Sequence, residues 1–276
     1  MLVAGGPLTS VAEAMKGVYQ LLYKKNQDGL MRIIRPFYQQ VLNLMGATME
    51  TNPLVLTGNI MNEDDELQHA TETFNIKVVL CIYLCQAELA FVLHKYTRAK
   101  ELVEKCNELG ATDLIVSSLQ IKLVFLDAMS SIALIWMDEM RQKDTPRDIA
   151  KKKKKHMQTI TTCLETLRYL ALHSPENMNQ KVWIIEGEIK AIEGEIDAAV
   201  NLFKFAMDHA GQQGNLADKT LACERLGLAL RNREREDDAL DYLEDCCALY
   251  RQWGALIKVN HVKGNVIPQS IYEWDG

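Results

Sequence analysis

Four glutamates, Glu186, Glu188, Glu193 and Glu195, lie close enough along the chain to suggest paired carboxylates for acid–base work. No nucleophile and no base of another kind stands near them, so a solvated helix face is the expected role. Seven cysteines, at 81, 85, 106, 163, 223, 246 and 247, are an odd number with no disulfide framework. Cys81-x3-Cys85 and Cys246-Cys247 lack the spacing of zinc ligands, and no nearby histidine completes a set. Most of the cysteines fall inside apolar helical patterns, where the thiol acts as a small hydrophobe. A reducing, cytoplasmic setting is expected. The six histidines, at 69, 94, 156, 173, 209 and 261, are scattered. Neither a G-x-x-x-x-G-K-[ST] phosphate loop nor a kinase catalytic loop with D-F-G is present. The chain is therefore not expected to be an enzyme, and no metal or cofactor is expected.

The lysine run Lys151–Lys155 is the loudest local feature. It could be a nuclear-localisation or anionic-lipid patch. At about 100° per residue, however, five consecutive lysines surround a helix axis, so no face of that turn can be buried. The run is expected to overhang the core as a solvated helix start, with the packed stripe beginning at Met157.

These residues must be positioned by a chain of 276 residues with 48% hydrophobic and 25% charged residues, ordinary for a globular protein. Fifteen glycines and six prolines are too few for a turn-rich β-sandwich or barrel. The net charge of −6 is opposite in sign to that of a protein that neutralises nucleic-acid phosphates, so nucleic acid is not an expected partner. Met1–Pro7 lacks the basic start and long apolar core of a signal peptide. Val78–Leu93 and Leu114–Met137 are long apolar stretches, but Gln86, Glu88, Gln120, Lys122 and Asp127 interrupt them. Both are expected to be buried helices rather than membrane spans.

Apolar residues recur three and four apart, as in Met157, Ile160, Leu164, Leu167 and Ala171, and in Leu114, Ile121, Phe125 and Met129 with the small Ser118 between the first two. No run alternates as a half-buried strand would, which predicts an all-α fold. Helix boundaries are expected at Gly110–Asp113, at Thr145-Pro146-Arg147-Asp148 and at Ser174-Pro175-Glu176. Residues 1–49 read as N-terminal helices and 67–172 as long helix pairs. Residues 50–66, with Asn52-Pro53, Gly58-Asn59 and the acidic run Glu63–Glu66, read as a surface loop. Residues 173–260 read as two repeat units and 261–276 as a tail, all within one helical-repeat domain.

The repeat is the most informative feature. Gly187 and Gly227 are 40 residues apart, as are Ala199 and Ala239, Phe203 and Leu243, and Ala206 and Cys246. Ala87, Ala99, Val103 and Cys106 repeat the template one hundred residues earlier. A small residue on a first helix lets a second approach. An alanine early in the second helix fills the mirror position, and a large residue one turn later closes the gap. Such hairpins bury their apolar faces by stacking into a solenoid.

Trp183, Gly187, Ala199 and Phe203 resemble the tetratricopeptide pattern W-x2-L-G-x2-Y…A-x3-F, with Glu186 and Lys190 departing from it. Leu226, Gly227 and Ala239 keep part of the pattern, and Cys223 stands in the tryptophan place. The closing string Tyr250-Arg251-Gln252-Trp253-Gly254-Ala255…Lys258-Val259 is similar to the end of the helical repeat region of very large signalling proteins. Phe37–Leu44, with Gln40 and Asn43, followed by Leu56-Thr57-Gly58, looks like the start of the same region. In those proteins a kinase-like domain and an AAA-type, STAND-like ATPase precede the repeats. A GAF sensor with a histidine kinase, or a nucleotide cyclase, often follows. The resemblance implies the repeat module alone, acting as a connector and sensor arm. A stand-alone adaptor that binds peptides is the other reading. Either way the expected partner is a protein or peptide, or other domains of a longer polypeptide. The tetratricopeptide likeness places a concave binding surface on Lys181, Ile184, Glu188, Leu221, Glu224 and Leu228.

Overall fold

A computed structural model describes residues 5–48, 50–115, 117–141 and 145–266. Among the described residues every regular element is a helix and none is a strand. The chain divides into two compact units. One holds residues 7–126 with Gly254–Lys258, and the other holds residues 5–6, Asp127–Trp253 and 259–266.

The first unit begins with α1 (Leu8–Lys24) and α2 (Asp28–Met45), followed by α3 (Glu63–Glu72), α4 (Ile76–Val92), α5 (Tyr96–Glu108) and the single turn α6 (Ala111–Leu114). Helix α4 is apolar on every side and lies at the centre, packed by α2, α3 and α5. Ala87 on α4 and Ala99, Val103 and Cys106 on α5 are all buried, and the two helices pack against each other. The acidic run Glu63–Glu66 is the first turn of α3 and not part of a loop, which corrects the reading of residues 50–66. The Asn62 side chain accepts from the Asp65 amide at 3.2 Å, and carboxylates in a first turn suit the helix dipole. Residues 50–62 are irregular and largely at the surface, as expected, with Leu56 and Met61 turned inward and buried.

The unit boundary falls within α7 (Ser117–Arg141), which starts after α6 and an extended Ile115, so Leu114 is not part of the long helix. Residues Ser118–Met140 are long and apolar enough to cross a membrane, and just over half of that stretch is buried within the protein.

The second unit continues with α8 (Pro146–Ala171), α9 (Pro175–Glu193), α10 (Ile196–Gln212), α11 (Leu216–Arg231), α12 (Glu236–Trp253) and α13 (Leu256–Asn265), of which Leu256–Lys258 belong to the first unit. The Thr145 hydroxyl caps α8 through the Asp148 amide at 3.2 Å, as its sequence predicts. Helices α9 and α10 form one hairpin, α11 and α12 the next, and α9 and α10 both pack on α11. A Cβ placed on Gly187 would meet the Phe203 ring at 3.1–3.2 Å. One on Gly227 would meet Leu243 at 2.8 Å and the Ala239 carbonyl at 3.2 Å. The small-against-large template is thus a physical contact in both hairpins. Positive-φ residues mark the turns at Gly194, Gly214, Glu234 and Gly254, twenty residues apart, and at Phe74 and His94 in the first unit. Residues 261–265 are helical and so do not belong to a tail. Residues 267–276, with Trp274, lie outside the described residues.

Candidate functional site

The six residues expected to line a concave surface do lie together along α9 and α11. They do not form an open face. Ile184 and Glu188 are fully buried, Glu224 nearly so, Lys181 and Leu228 are each 8% exposed, and only Leu221 is half-exposed. The reason is electrostatic pairing between the two helices. Lys181 Nζ donates to both carboxylate oxygens of Asp218, at 2.5 and 2.7 Å. Two turns along, Glu188 accepts from the Arg225 guanidinium and from Trp136 Nε1 at 3.0 Å. Tyr250 donates its hydroxyl to Glu224 at 2.7 Å. Gln180 and Asn215 donate to Asp218 at 3.1 and 2.8 Å. A buried charge is tolerated only when paired and hydrogen-bonded, and this ladder meets that condition.

Glu188 is therefore not on a solvated face, contrary to the reading of the four glutamates. Of the others, Glu186 is half-buried and pairs with Arg168 at 2.7 Å, while exposed Glu193 and Glu195 both hold Lys190 at 3.0 Å. Asp218, Arg225 and Trp136 were not among the expected site residues. A signal for the first two was present. Lys181 and Glu188 are seven residues apart, as are Asp218 and Arg225, and each pair of opposite charges is separated by 37 residues.

The lysine run is also anchored. Lys153 is half-buried and donates to Glu139 of α7 at 2.7 Å, and Lys152 lies 4.0 Å from Asp138. Lys151, Lys152, Lys154 and Lys155 are exposed, as a solvated helix start would be, and Lys153 alone is partly buried. One side of that turn rests on α7, because long lysine stems reach a neighbouring helix even where no apolar stripe exists. The acidic first turn of α3 has its own partners. Glu66 takes both Arg32 and Arg35, while Glu63 accepts from the Leu56 amide and from Gln86, each at 2.7 Å.

The irregular segment 50–62 is held by two fully buried side chains of α2. Asn43 Nδ2 donates to the carbonyls of Pro53 and Val55, at 3.1 and 2.7 Å. Gln39 Nε2 donates to Asn43 Oδ1 at 2.9 Å, and Gln39 Oε1 accepts from the Ile60 amide at 3.3 Å. Beyond α3, Phe74 stands 89% exposed on the turn before α4, with φ +54°. It borders an open groove of about 400 Å³ lined by Ile76, Val79, Tyr83 and Leu109.

All seven cysteines are buried thiols. Burial pushes Cys81, Cys106 and Cys223 up to about 12 and holds Cys85 well above the usual thiol range. The hydrogen bond between the adjacent thiols raises Cys246 and lowers Cys247. Trp183 is half-buried against Phe205 and His209.

The second unit also holds residues 5 and 6, with Gly5 in the left-handed region at φ +64°. Trp253 Nε1 donates to the Gly6 carbonyl at 3.1 Å, and the Ala217 amide, in the first turn of α11, donates to the Gly5 carbonyl at 3.3 Å. Two successive main-chain carbonyls are thus read by donors from two helices, with no side chain of the held segment involved.

No family model, curated protein or solved structure matches the chain.

Proposed function

We propose that this chain is a helical-repeat scaffold that binds polypeptide segments and carries out no reaction of its own. The observation that carries this reading is the capture of the Gly5 and Gly6 carbonyls by Ala217 N–H and Trp253 Nε1. Recognition through the main chain is what a peptide-binding helical array needs, and side-chain fit then adds selectivity. Three further features support it. The α9–α10 and α11–α12 hairpins share one packing template, as stacked units of a tetratricopeptide-like solenoid would. The charged groups of the α9–α11 ladder are engaged with one another, which suits a structural rather than a catalytic role. Phe74, beside its groove in the first unit, offers an exposed apolar contact of the kind partners use. The arm of a larger cytoplasmic signalling ATPase or kinase is the setting we propose, on the resemblance of Tyr250–Val259 alone. A stand-alone peptide-binding adaptor is the alternative.

Selection of a random peptide library displayed on phage, against the immobilised full chain, tests the reading. Peptides that bind one to one and protect backbone amides around Trp253 or Phe74 from hydrogen exchange are the expected outcome. A chain that enriches no peptide, or that turns over a substrate and loses the activity on mutation, would overturn it.

A further inference from the structure

The contact at residues 5 and 6 is more selective than a casual packing of two chain segments. Gly5 is buried, with φ +64°, a region that side-chain-bearing residues enter rarely. A Cβ there would overlap Asn215 Oδ1, lie 2.6 Å from its Cγ and 3.1 Å from the Ala217 Cβ. Asn215 cannot yield freely, because its Oδ1 caps α11 through the Asp218 amide at 3.0 Å and its Nδ2 holds the Asp218 carboxylate. Gly6 differs: a Cβ there would meet nothing within 4 Å. The site therefore demands glycine at one position and is indifferent at the next.

The donors have no competing use within their own helices. Ala217 is the second residue of α11, where a helix leaves its amide without an intrahelical acceptor. The buried Trp253 indole needs an acceptor as well. Such a pair of fixed donors, with a floor that admits only glycine, is a recognition slot rather than a smooth apolar face.

We propose that this slot binds a glycine-containing peptide that places its glycine in the left-handed conformation, and that residues 5 and 6 fill it as a resident ligand of the same chain. A partner segment with glycine at the same place gains access by displacing them. The inference rests on the reading of the chain as a polypeptide binder, and it names that binder's ligand chemistry and its occupant at rest.

The test uses the full chain in four forms: wild type, Gly5→Val, Gly6→Ala and Trp253→Phe. Two readouts are taken. The indole N–H resonance of Trp253, assigned by its loss in Trp253→Phe, reports the bond to Gly6. Fluorescence polarisation reports binding of labelled Val-Ala-Gly-Gly-Pro-Leu, the sequence of residues 3–8, blocked at its C-terminus. Gly6→Ala should match wild type in both. Gly5→Val should shift the indole resonance and bind the peptide at least tenfold more tightly than wild type, and saturating peptide should return the resonance towards its original place. The peptide Val-Ala-Val-Gly-Pro-Leu should not bind. Gly5→Ala, which adds the Cβ alone, carries the same expectation should valine disturb the unit.

An unshifted resonance in both Gly5 variants would show that the segment does not sit in the slot. A shifted resonance without peptide binding would make the segment a fixed anchor, and Gly6→Ala behaving like Gly5→Val would remove the glycine requirement. Any of these overturns the inference, while the broader reading stands or falls on the phage selection.

Discussion

The α9–α12 hairpins and the α2–α4 corner both bury polar side chains, by different means. In the hairpins the polar contacts are regular. Lys181 with Asp218 and Glu188 with Arg225 repeat at one spacing between α9 and α11, while Gly187 against Phe203 and Gly227 against Leu243 close the α9–α10 and α11–α12 hairpins. In the corner they are irregular. Asn43 and Gln39 reach from one helix into a loop and satisfy its main-chain groups one by one. The difference teaches that a repeat distributes its stability over many equivalent contacts, whereas an irregular loop depends on a few side chains that nothing else replaces.

The largest expected effect comes from breaking the ladder. Glu188→Ala leaves the Arg225 guanidinium buried without its carboxylate, and removing one partner of a buried pair costs about 3–5 kcal/mol. The midpoint of urea unfolding should fall accordingly, and Glu188→Ala with Arg225→Met should recover part of the loss. A smaller effect is expected in the corner. Asn43→Ala strips the Pro53 and Val55 carbonyls of their donor, at about 1–3 kcal/mol. Limited proteolysis should then cut within residues 50–62 before any other segment.

Gly187→Leu should destabilise by about 1–3 kcal/mol through overpacking against Phe203. Gly227→Leu should cost at least as much, since there the obstacle includes a backbone carbonyl, and paired thermal melts check the order. Alkaline pH should also separate folded from unfolded chains. Burial raises Cys81, Cys106 and Cys223 to about 12, so the unfolded chain loses thiol protons first as pH climbs. The stabilisation is complete below the unfolded thiol range, near pH 9, and is lost progressively between about pH 9 and 12. Urea midpoints should fall from pH 8 to pH 10.5, and replacing Cys106 with alanine should shrink that slope. The smallest effect is expected for Lys152→Gln with Lys153→Gln. Both pairs are partly exposed, so the loss should be a few tenths of a kcal/mol, about that of surface ion pairs, and should vanish in high salt.

What the sequence disclosed follows the same division. The α9–α12 template was legible because a period of 40 fixes residue size at matched positions. The all-α class was legible from apolar spacing. The pairing of Lys181 and Glu188 was not, because a charge on a helix reads as solvent-facing until its partner on another helix is known. Asn43 and Gln39 carry no periodic signature, so the organised loop they hold looked like an ordinary surface loop. The left-handed turns at Phe74, His94 and Glu234 keep the rhythm of Gly194, Gly214 and Gly254 without a glycine to mark them. The slot around Gly5 was hidden for a related reason: its requirement lies in the space beside Asn215, over two hundred residues away along the chain.

The central claim is that ladder and template lock the α9–α10 and α11–α12 hairpins into one cooperative body. Native-state hydrogen exchange across a series of low urea concentrations tests it most directly. The account predicts that the slowest amides of α9, α10, α11 and α12 converge on a single opening free energy with a common urea dependence. If the slowest amides of α11 and α12 open by a separate, lower-energy step while those of α9 and α10 stay protected, the hairpins are independent and the account is contradicted.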